Sequence, residues 1–292
     1  FKQKREYAIL SGLVGSEMCI RDRIVAEALF VASERSIMRP LVRNYAVTGG
    51  GKSVEVPIYA AVSAAAVSEA ADLSNTAIDP TSVTITCSEH GIMTTLTDLG
   101  RNAAPRNVAA DIGRLFGEAI AKKIDKDLTA KFGGFSTTVG SASTAMSAAL
   151  IFQAVAKLRS AGVSGDNLNA VLHPQVAFDL KSGLTNTFAN PNAGVGNEIL
   201  KSSLVGQIAG VNIFESSNMT DSSSNDPGTT GDYKGAVFNP DALGLAMMQD
   251  LKIETQRDAS LRADEIVATA VYGVAELNDA NGCEVEADSS IQ

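Results

Sequence analysis

Between Pro105 and Lys131 the chain reads PRNVAADIGRLFGEAIAKKIDKDLTAK, and its apolar residues Val108, Ile112, Leu115, Phe116, Ala119, Ile120, Ile124 and Leu128 recur at three- and four-residue steps. That spacing gathers them into one stripe on an α-helix and leaves the opposite face charged. Pro105 suits a first helical turn, where a missing N–H costs nothing, and Gly133-Gly134 supply a stop just beyond the end. At 1.5 Å per residue the helix would be about 40 Å long. A helix of that length with one apolar face has to lie along an extended surface, and the strands before and after it are the candidates. It reads as a spine.

The rest of the chain must supply that surface. Its 292 residues, 45% hydrophobic and 20% charged, are enough for two core-bearing lobes. No apolar run reaches membrane-spanning length, so no membrane partner is expected. With 24 Lys plus Arg against 33 Asp plus Glu the net charge is −9, and basic residues interleaved with aromatics are missing. Sequence-specific nucleic-acid binding is therefore not expected. Cys19, Cys87 and Cys283 are far apart and not in metal-ligand spacing, so they read as reduced thiols.

Residues 1–23 do not match the remainder of the chain in character. They carry five basic and three acidic residues, a charge of +2, which leaves −11 for the other residues. Their apolar patch is broken by Ser11-Gly12 and no small-residue cleavage motif comes after it, which argues against a signal peptide. The string VGSEMCIRDR, residues 14–23, resembles translated sequencing-adapter sequence, so this leader is read as non-native and Cys19 carries no function.

From Ile24 a helix is expected up to Pro40, then a strand-like piece, Leu41 to Val47. Gly51-Lys52-Ser53 matches the end of a phosphate-cradling loop, but the motif's first glycine falls at Ala46. An alternating strand, Val54-Glu55-Val56-Pro57-Ile58, also stands where a helix must begin. The nucleotide reading is rejected in favour of a glycine turn that opens a long β-hairpin. Its strands are Val54 to Tyr59 and Ser82 to Ser88, and the small, polar residues between them are too weakly apolar to bury themselves. A two-stranded arm is marginal alone, so a second subunit is the expected support. Ile92 to Thr97 then leads to the spine helix.

After Gly133 the stretch FSTTVGSAS reads as a linker between lobes. Ser143 or Thr144 caps a helix through about Ala161, Ala170 to Leu172 is a short strand, and His173-Pro174 opens a helix over Gln175 to Lys181. Thr185 to Gly196 reads as an exposed loop. Ile208 to Phe214 and Ala236 to Phe238 read as strands separated by a polar tip, MTDSSSNDPGTTGD. Strands and helices alternate, so this lobe is α/β. Lys252 to Arg257 and the long strand Ile266 to Leu277 return to the first lobe, where the spine helix is the natural cover.

This order of elements, with Glu254-Thr255-Gln256-Arg257-Asp258, Arg262-Ala263-Asp264 and the run IVATAVYGVA from Ile266 to Ala275, resembles the major capsid proteins of tailed bacteriophages, the Hong Kong 97-type fold. In that family this region looks like a charged turn and then a strand with an aromatic-glycine step. The resemblance spans residues 24–287 by element order more than by motif. It implies an α+β, Hong Kong 97-like capsid fold with a long spine helix, a peripheral β-sheet, an extended β-hairpin loop and an inserted α/β axial domain. The expected division is an N-terminal arm at 24–47, the hairpin loop at 48–88, a peripheral domain with the spine at 89–135, the axial domain at 136–250, closing peripheral strands at 251–287 and a tail at 288–292. The implied function is that of a non-enzymatic coat protein whose copies form the hexamers and pentamers of an icosahedral shell around a genome. The shell is expected in the virion and its assembly in the host cytoplasm. Expected partners are itself, a portal, a decoration protein and a scaffolding protein, the last either separate or lost with the leader. No cofactor is expected. Intersubunit contact candidates are Lys52, Val54, Val56, Glu69 and Asp72 in the arm, and Arg257, Asp258, Arg262 and Asp264 in the closing turn.

Sharper readings are weighed against plainer ones. Relatives that weld their subunits join a hairpin lysine to an asparagine near the closing strand; Lys52 with Asn278 or Asn281 supplies the parts, as chance alone would, and the unlinked reading is preferred. His90 and His173, 83 positions apart, read as solvated or capping residues. No serine-hydrolase elbow is present. Asp258, Asp264 and Glu265 beside Arg257 and Arg262 read as a salt-bridge network before an acid/base pair. An encapsulin-like nanocompartment shell is the alternative within the fold. A small-molecule enzyme is the remote one, since no convergent set of titratable side chains is visible.

Overall fold

The computed structural model describes residues 36–47, 51–59, 81–103, 108–163, 167–188, 206–219 and 233–291, together with Ala28, Gly165 and scattered positions between 62 and 80. The leader at 1–23, most of the helix expected from Ile24, Pro105, the loop from 189 to 196 and the polar tip from 220 to 232 lie outside the described residues.

Two sheets carry the two lobes. The first has four strands in the order β1-β10-β11-β4: β1 (Arg43–Ala46), β4 (Ser88–Thr97), β10 (Leu243–Asp258) and β11 (Ala263–Glu276). β1 runs parallel to β10 and the other pairs are antiparallel. Along β11, Ile266, Ala268, Ala270 and Tyr272 are buried, the period of two that aims alternate side chains at one face. The spine helix, α2 (Val108–Thr129), covers that face with Phe116, Ile120, Ile124 and Leu128. Leu115, expected in the stripe, is 63% exposed. It lies about 100° around the helix from Phe116, and the sheet is met by the narrower row that Ile112, partly buried, begins. At Gly117 the neighbouring backbone comes so close that a Cβ would lie 2.4 Å from the Ala28 carbonyl oxygen. A short helix, α1 (Asp98–Ala103), links β4 towards α2.

The second sheet has six strands in the order β5-β12-β9-β6-β8-β7: β5 (Thr138–Ala145), β6 (Leu168–Leu172), β7 (Gln207–Ile208), β8 (Val211–Glu215), β9 (Tyr233–Phe238) and β12 (Gly282–Asp288). Helices α3 (Ala148–Ser160) and α4 (Pro174–Phe188) pack on it through Ile151, Ala154, Val155, Leu158, Val176, Ala177 and Leu180.

Four expectations are corrected here. The stretch that reads as a linker, 135–143, is mostly β5, whose Val139 is buried and whose parallel partner β12 lies some 145 residues away in sequence; its Ser, Thr and Gly content looks like a linker because the partner that orders it is remote. The next helix consequently has Ser147, not Ser143 or Thr144, at its N-cap position, and the Ser147 backbone carbonyl accepts the Leu150 N–H at 3.1 Å. α4 continues past Lys181 to Phe188, into the segment expected to be a loop. Residues 243–250 belong to β10 of the first sheet, while 282–288, expected among the peripheral strands and tail, form β12 of the second. Two register shifts between Met247 and Lys252 break the alternation of β10 and hide its first half.

The lobes are joined where the chain crosses between sheets, at 132–137, 239–242 and 277–281. These crossings are stitched together. The Asn239 N–H donates to the Asn281 carbonyl at 3.0 Å, Leu277 N–H to the Ala242 carbonyl at 2.8 Å, and Ser136 N–H to Asp279 Oδ1 at 2.7 Å.

Candidate assembly surfaces

The arm is a two-stranded sheet, β2 (Ser53–Ile58) against β3 (Thr81–Thr86), antiparallel from Ser53↔Thr86 to Ile58↔Thr81. Ser53 opens a strand, so Gly51-Lys52-Ser53 has no helix N-terminus to work with. Contrary to expectation, the root of the arm does not wait for a second subunit. Val56, Ile85 and Cys87 form a core of their own with Ala246 and Leu277 of the same chain. The seat is built from small residues. A Cβ on Gly273 would lie 2.3 Å from the Thr86 carbonyl oxygen, so the backbone of the arm rests directly on the backbone of β11. Val56, a candidate intersubunit contact, is therefore buried within its own chain, and Val54 is partly buried beside it. A sequence reading misses this because Gly273 and Ala246 offer no apolar bulk to recognise.

Beyond the root, Tyr59, Val62, Val67 and Ile78 are between 48% and 65% exposed, and Glu69 and Asp72 are exposed with them. Lys52 sits at the root, where its carbonyl accepts the Cys87 N–H at 2.8 Å. Asn278 Oδ1 accepts the Ala280 N–H at 3.1 Å and caps the interlobe turn.

The closing turn forms an ion cluster that also draws in α1. Arg257 donates to Asp98 Oδ2 at 2.5 Å and to Asp264 Oδ1 at 3.0 Å; Arg101 donates to Asp264 Oδ2 at 2.9 Å and to Asp98 Oδ1 at 3.0 Å. The hydrogen bond from Arg257 holds the Asp98 carboxyl below the ordinary carboxylate range, with the charges of Arg257, Arg101 and Arg262 adding to it. Asp98 and Arg101 are not among the sequence candidates; the register Thr97↔Ala263, which places α1 beside the turn, cannot be read from spacing. Asp258 caps its own turn, accepting from Ser260 N–H at 2.8 Å and Leu261 N–H at 3.2 Å, and its carboxyl is lowered first by the Ser260 hydroxyl. Arg262 is exposed, with φ +51°, and its carbonyl accepts the Asp98 N–H at 3.0 Å. Arg257, Asp258, Arg262 and Asp264 thus meet within one chain.

A second polar node lies under the N-terminal segment. The buried Asp125 carboxylate accepts from Ser36 Oγ at 2.7 Å, Ile37 N–H at 3.0 Å and Met38 N–H at 3.2 Å. Burial pushes its carboxyl up, while these bonds pull it down. One turn on, Thr129 Oγ1 donates to the Asn218 carbonyl at 2.9 Å. The spine helix therefore grips the N-terminal segment and the second lobe within a single turn. On the sheet side, buried Tyr272 donates its hydroxyl to Asp127 at 2.7 Å, and burial, then that carboxylate, raises its pKa.

The histidines have structural partners. His90 packs on Tyr272 with ring centroids 4.6 Å apart, and His173 stacks on Tyr233 at 3.5 Å while its Nδ1 accepts the Gln175 N–H at the start of α4. Among the described residues no group of three or more His, Cys, Asp or Glu is placed to hold a metal ion. Nothing in this arrangement, among the described residues, assembles a nucleophile, a base and an oxyanion site at one point.

A family model described as phage capsid protein matches residues 80–283. Among solved structures, the chain is similar to the capsid of the cyanophage P-SCSP1u, with TM-score 0.69, 18% identity and coverage of 87% of this chain and 89% of that one. It is similar to that of Mycobacterium phage Che8, with TM-score 0.64, 23% identity and 80% and 84% coverage. The head of Helicobacter pylori bacteriophage KHP40 gives TM-score 0.66, 15% identity and 84% and 87% coverage. No curated protein sequence matches.

Proposed function

The chain belongs to the phage capsid protein family and has the Hong Kong 97-type fold of tailed-phage major capsid proteins, and from that premise we propose that it works as the repeating subunit of an icosahedral shell, first closing into hexamers and pentamers. It is a structural protein, and its function is the geometry of its contacts.

The observation that carries this reading is the arm. Its root is fixed to its own sheet by Val56, Ile85 and Cys87, whereas Tyr59, Val62, Val67 and Ile78 further out stay exposed. A hairpin that, among its described residues, gains burial only at its root stabilises nothing by extending further, unless the extension is buried by another molecule. A neighbouring copy is the partner a shell provides, with Glu69 and Asp72 adding acidic contacts there. Arg257, Asp258, Arg262 and Asp264 keep the closing turn rigid and present it to further copies. A separate scaffold, a portal and a decoration protein are the other partners this role calls for, with assembly in the host cytoplasm and the finished shell in the virion.

The test is electron microscopy and sedimentation of residues 24–292, expressed alone and with a scaffold. Closed shells or ring-shaped capsomers are expected. A monomer that persists at high concentration under both conditions would overturn the reading, and shells that enclose an enzyme in place of DNA would move it to the nanocompartment alternative.

A further inference from the structure

The sheet edges of this molecule are treated unequally. An edge strand exposes a row of unpaired N–H and C=O groups, and proteins blunt such edges by shortness, bulges, charge or proline. In the six-stranded sheet, edge strand β7 has two residues, and edge strand β5 carries a register shift near Gly140, whose φ is +88°. In the four-stranded sheet, edge strand β1 has four residues and begins with Arg43. β4 has one such protection, the charge of Glu89 near its start. Its ten residues, SEHGIMTTLT, contain no Lys, Arg or Pro, and beyond Glu89 and His90 they carry no titratable group.

β4 pairs with β11 without interruption from Ser88↔Tyr272 to Thr97↔Ala263. Among the described residues no backbone hydrogen bond reaches its other side. In an antiparallel pair alternate residues turn both backbone groups to the partner, so about half of this strand aims its groups outward. At its midpoint stand Ile92, 37% exposed, and Met93, 60% exposed.

We propose that β4 pairs antiparallel with β4 of a second copy across a local twofold axis, joining two four-stranded sheets into one continuous sheet. The proposal rests on the capsid reading, which supplies the second copy at high local concentration. Self-pairing fits the charge pattern. In an antiparallel pair centred on Ile92 or on Met93 the two Glu89 carboxylates stand about 20–26 Å apart, well beyond a screening length of about 8 Å. The apolar midpoints meet each other, and a twofold contact uses up both exposed edges at once. The extended arm of another copy suits this edge less well, since its outer stretch carries Glu69, Asp72 and Asp79 and is bracketed by Pro57 and Pro80, which cannot donate to a ladder.

Single cysteines placed in turn from Glu89 to Leu96, in a Cys19→Ser background, test the contact. Residues opposite each other across two strands have Cβ atoms about 4.5–5.5 Å apart, near enough for a disulfide after small adjustment. Mild oxidation of assembled shells should give covalent dimers at one or two adjacent positions around 92 and 93, and none for Phe152→Cys on α3. The paired substitution Met93→Lys/Thr95→Lys should lower assembly yield at least tenfold while the isolated subunit unfolds at its usual temperature. Shells that close normally with both lysines, or dimers at no β4 position, would overturn the proposal while leaving the capsid reading intact. Failure of the unsubstituted chain to form any capsomer would remove the premise and the proposal together.

Discussion

Replacing Gly273 by alanine isolates the contact on which the arm depends. The added Cβ would lie 2.3 Å from the Thr86 carbonyl oxygen, 2.8 Å from its carbon and 3.1 Å from the Cys87 nitrogen, whereas ordinary contact begins near 3.4 Å. The atoms facing it are backbone, so no rotamer can relieve the overlap and β3 must retreat by about 1 Å. Two responses compete. Lifting the root off the sheet would forfeit the burial of Val56 and Ile85, about 1.5–3 kcal/mol each. Holding it in place under strain costs about 1–3 kcal/mol, the usual range for overpacking, so strain with partial lifting wins. At about 2–4 °C per kcal/mol for a chain of this size, the unfolding temperature should fall by about 2–12 °C. Hydrogen exchange should localise the change, with amides of 53–58 and 81–87 losing protection while those of α2 and β6 keep theirs. Gly183→Ala is the control: nothing lies within 4 Å of its Cβ, so a helical glycine is simply replaced by a better helix former and stability should rise slightly. If Gly273→Ala matches the unsubstituted protein in both unfolding temperature and protection of β2 and β3, the close seating of the arm is refuted.

Two further outcomes concern the polar nodes. Asp125→Ala leaves Ser36 Oγ, Ile37 N–H and Met38 N–H without their acceptor, so the subunit should lose about 1–3 kcal/mol and the chain should become more readily cleavable by trypsin at Arg43; unchanged protease resistance there would refute the clamp. The Asp98 carboxyl is held down chiefly by Arg257, so its contribution is complete above the ordinary carboxylate pKa of about 3.9 and is lost as pH falls through the lowered folded value. Arg257→Ala should bring Asp98 back up towards the ordinary range in a carbon NMR titration, and an Asp98 midpoint that does not move would show that the cluster is not coupled in solution.

The spine is legible because Phe116, Ile120, Ile124 and Leu128 repeat at a helical period within one segment, and the hairpin because Val54, Val56, Val83 and Ile85 alternate. These are local signals. What escapes the sequence depends on pairings between distant segments. β5 looks like a linker until β12 is set beside it, and β12 looks like part of the closing peripheral segment until β9 and β5 flank it. The ion cluster is legible only in half for the same reason. Arg257, Asp258, Arg262 and Asp264 are close in sequence, but Asp98 and Arg101 join them only through the β4–β11 register. Asp125 gives no signal, because a carboxylate on a helix is ordinary until a turn of backbone N–H groups is found facing it.

The dipeptide Tyr272-Gly273, an aromatic-glycine step in a long strand, acquires a physical meaning from the two faces of β11. Consecutive residues of a strand point to opposite sides. Tyr272 points inward, where its hydroxyl meets Asp127 of the spine helix at 2.7 Å, and Gly273 faces outward, where its missing side chain seats the arm. Asp127 lies within a turn of Asp125, which holds the N-terminal segment, and Asp127 is also paired with Lys123 at 2.6 Å. A load that a neighbouring copy applied to the arm would therefore meet β11 directly, and β11 is tied by a buried hydroxyl to the same helical turns that grip the N-terminal segment and the second lobe. Close-packed interiors transmit such displacement, since they have no slack in which to absorb it. Tyr272→Phe deletes the tie while keeping the ring and its packing. If β11 carries the load, this substitution should weaken shell cohesion more than it weakens the isolated subunit, measured as the denaturant midpoint of assembled shells against that of free subunits; equal losses in the two would mean that the hydroxyl serves the fold alone.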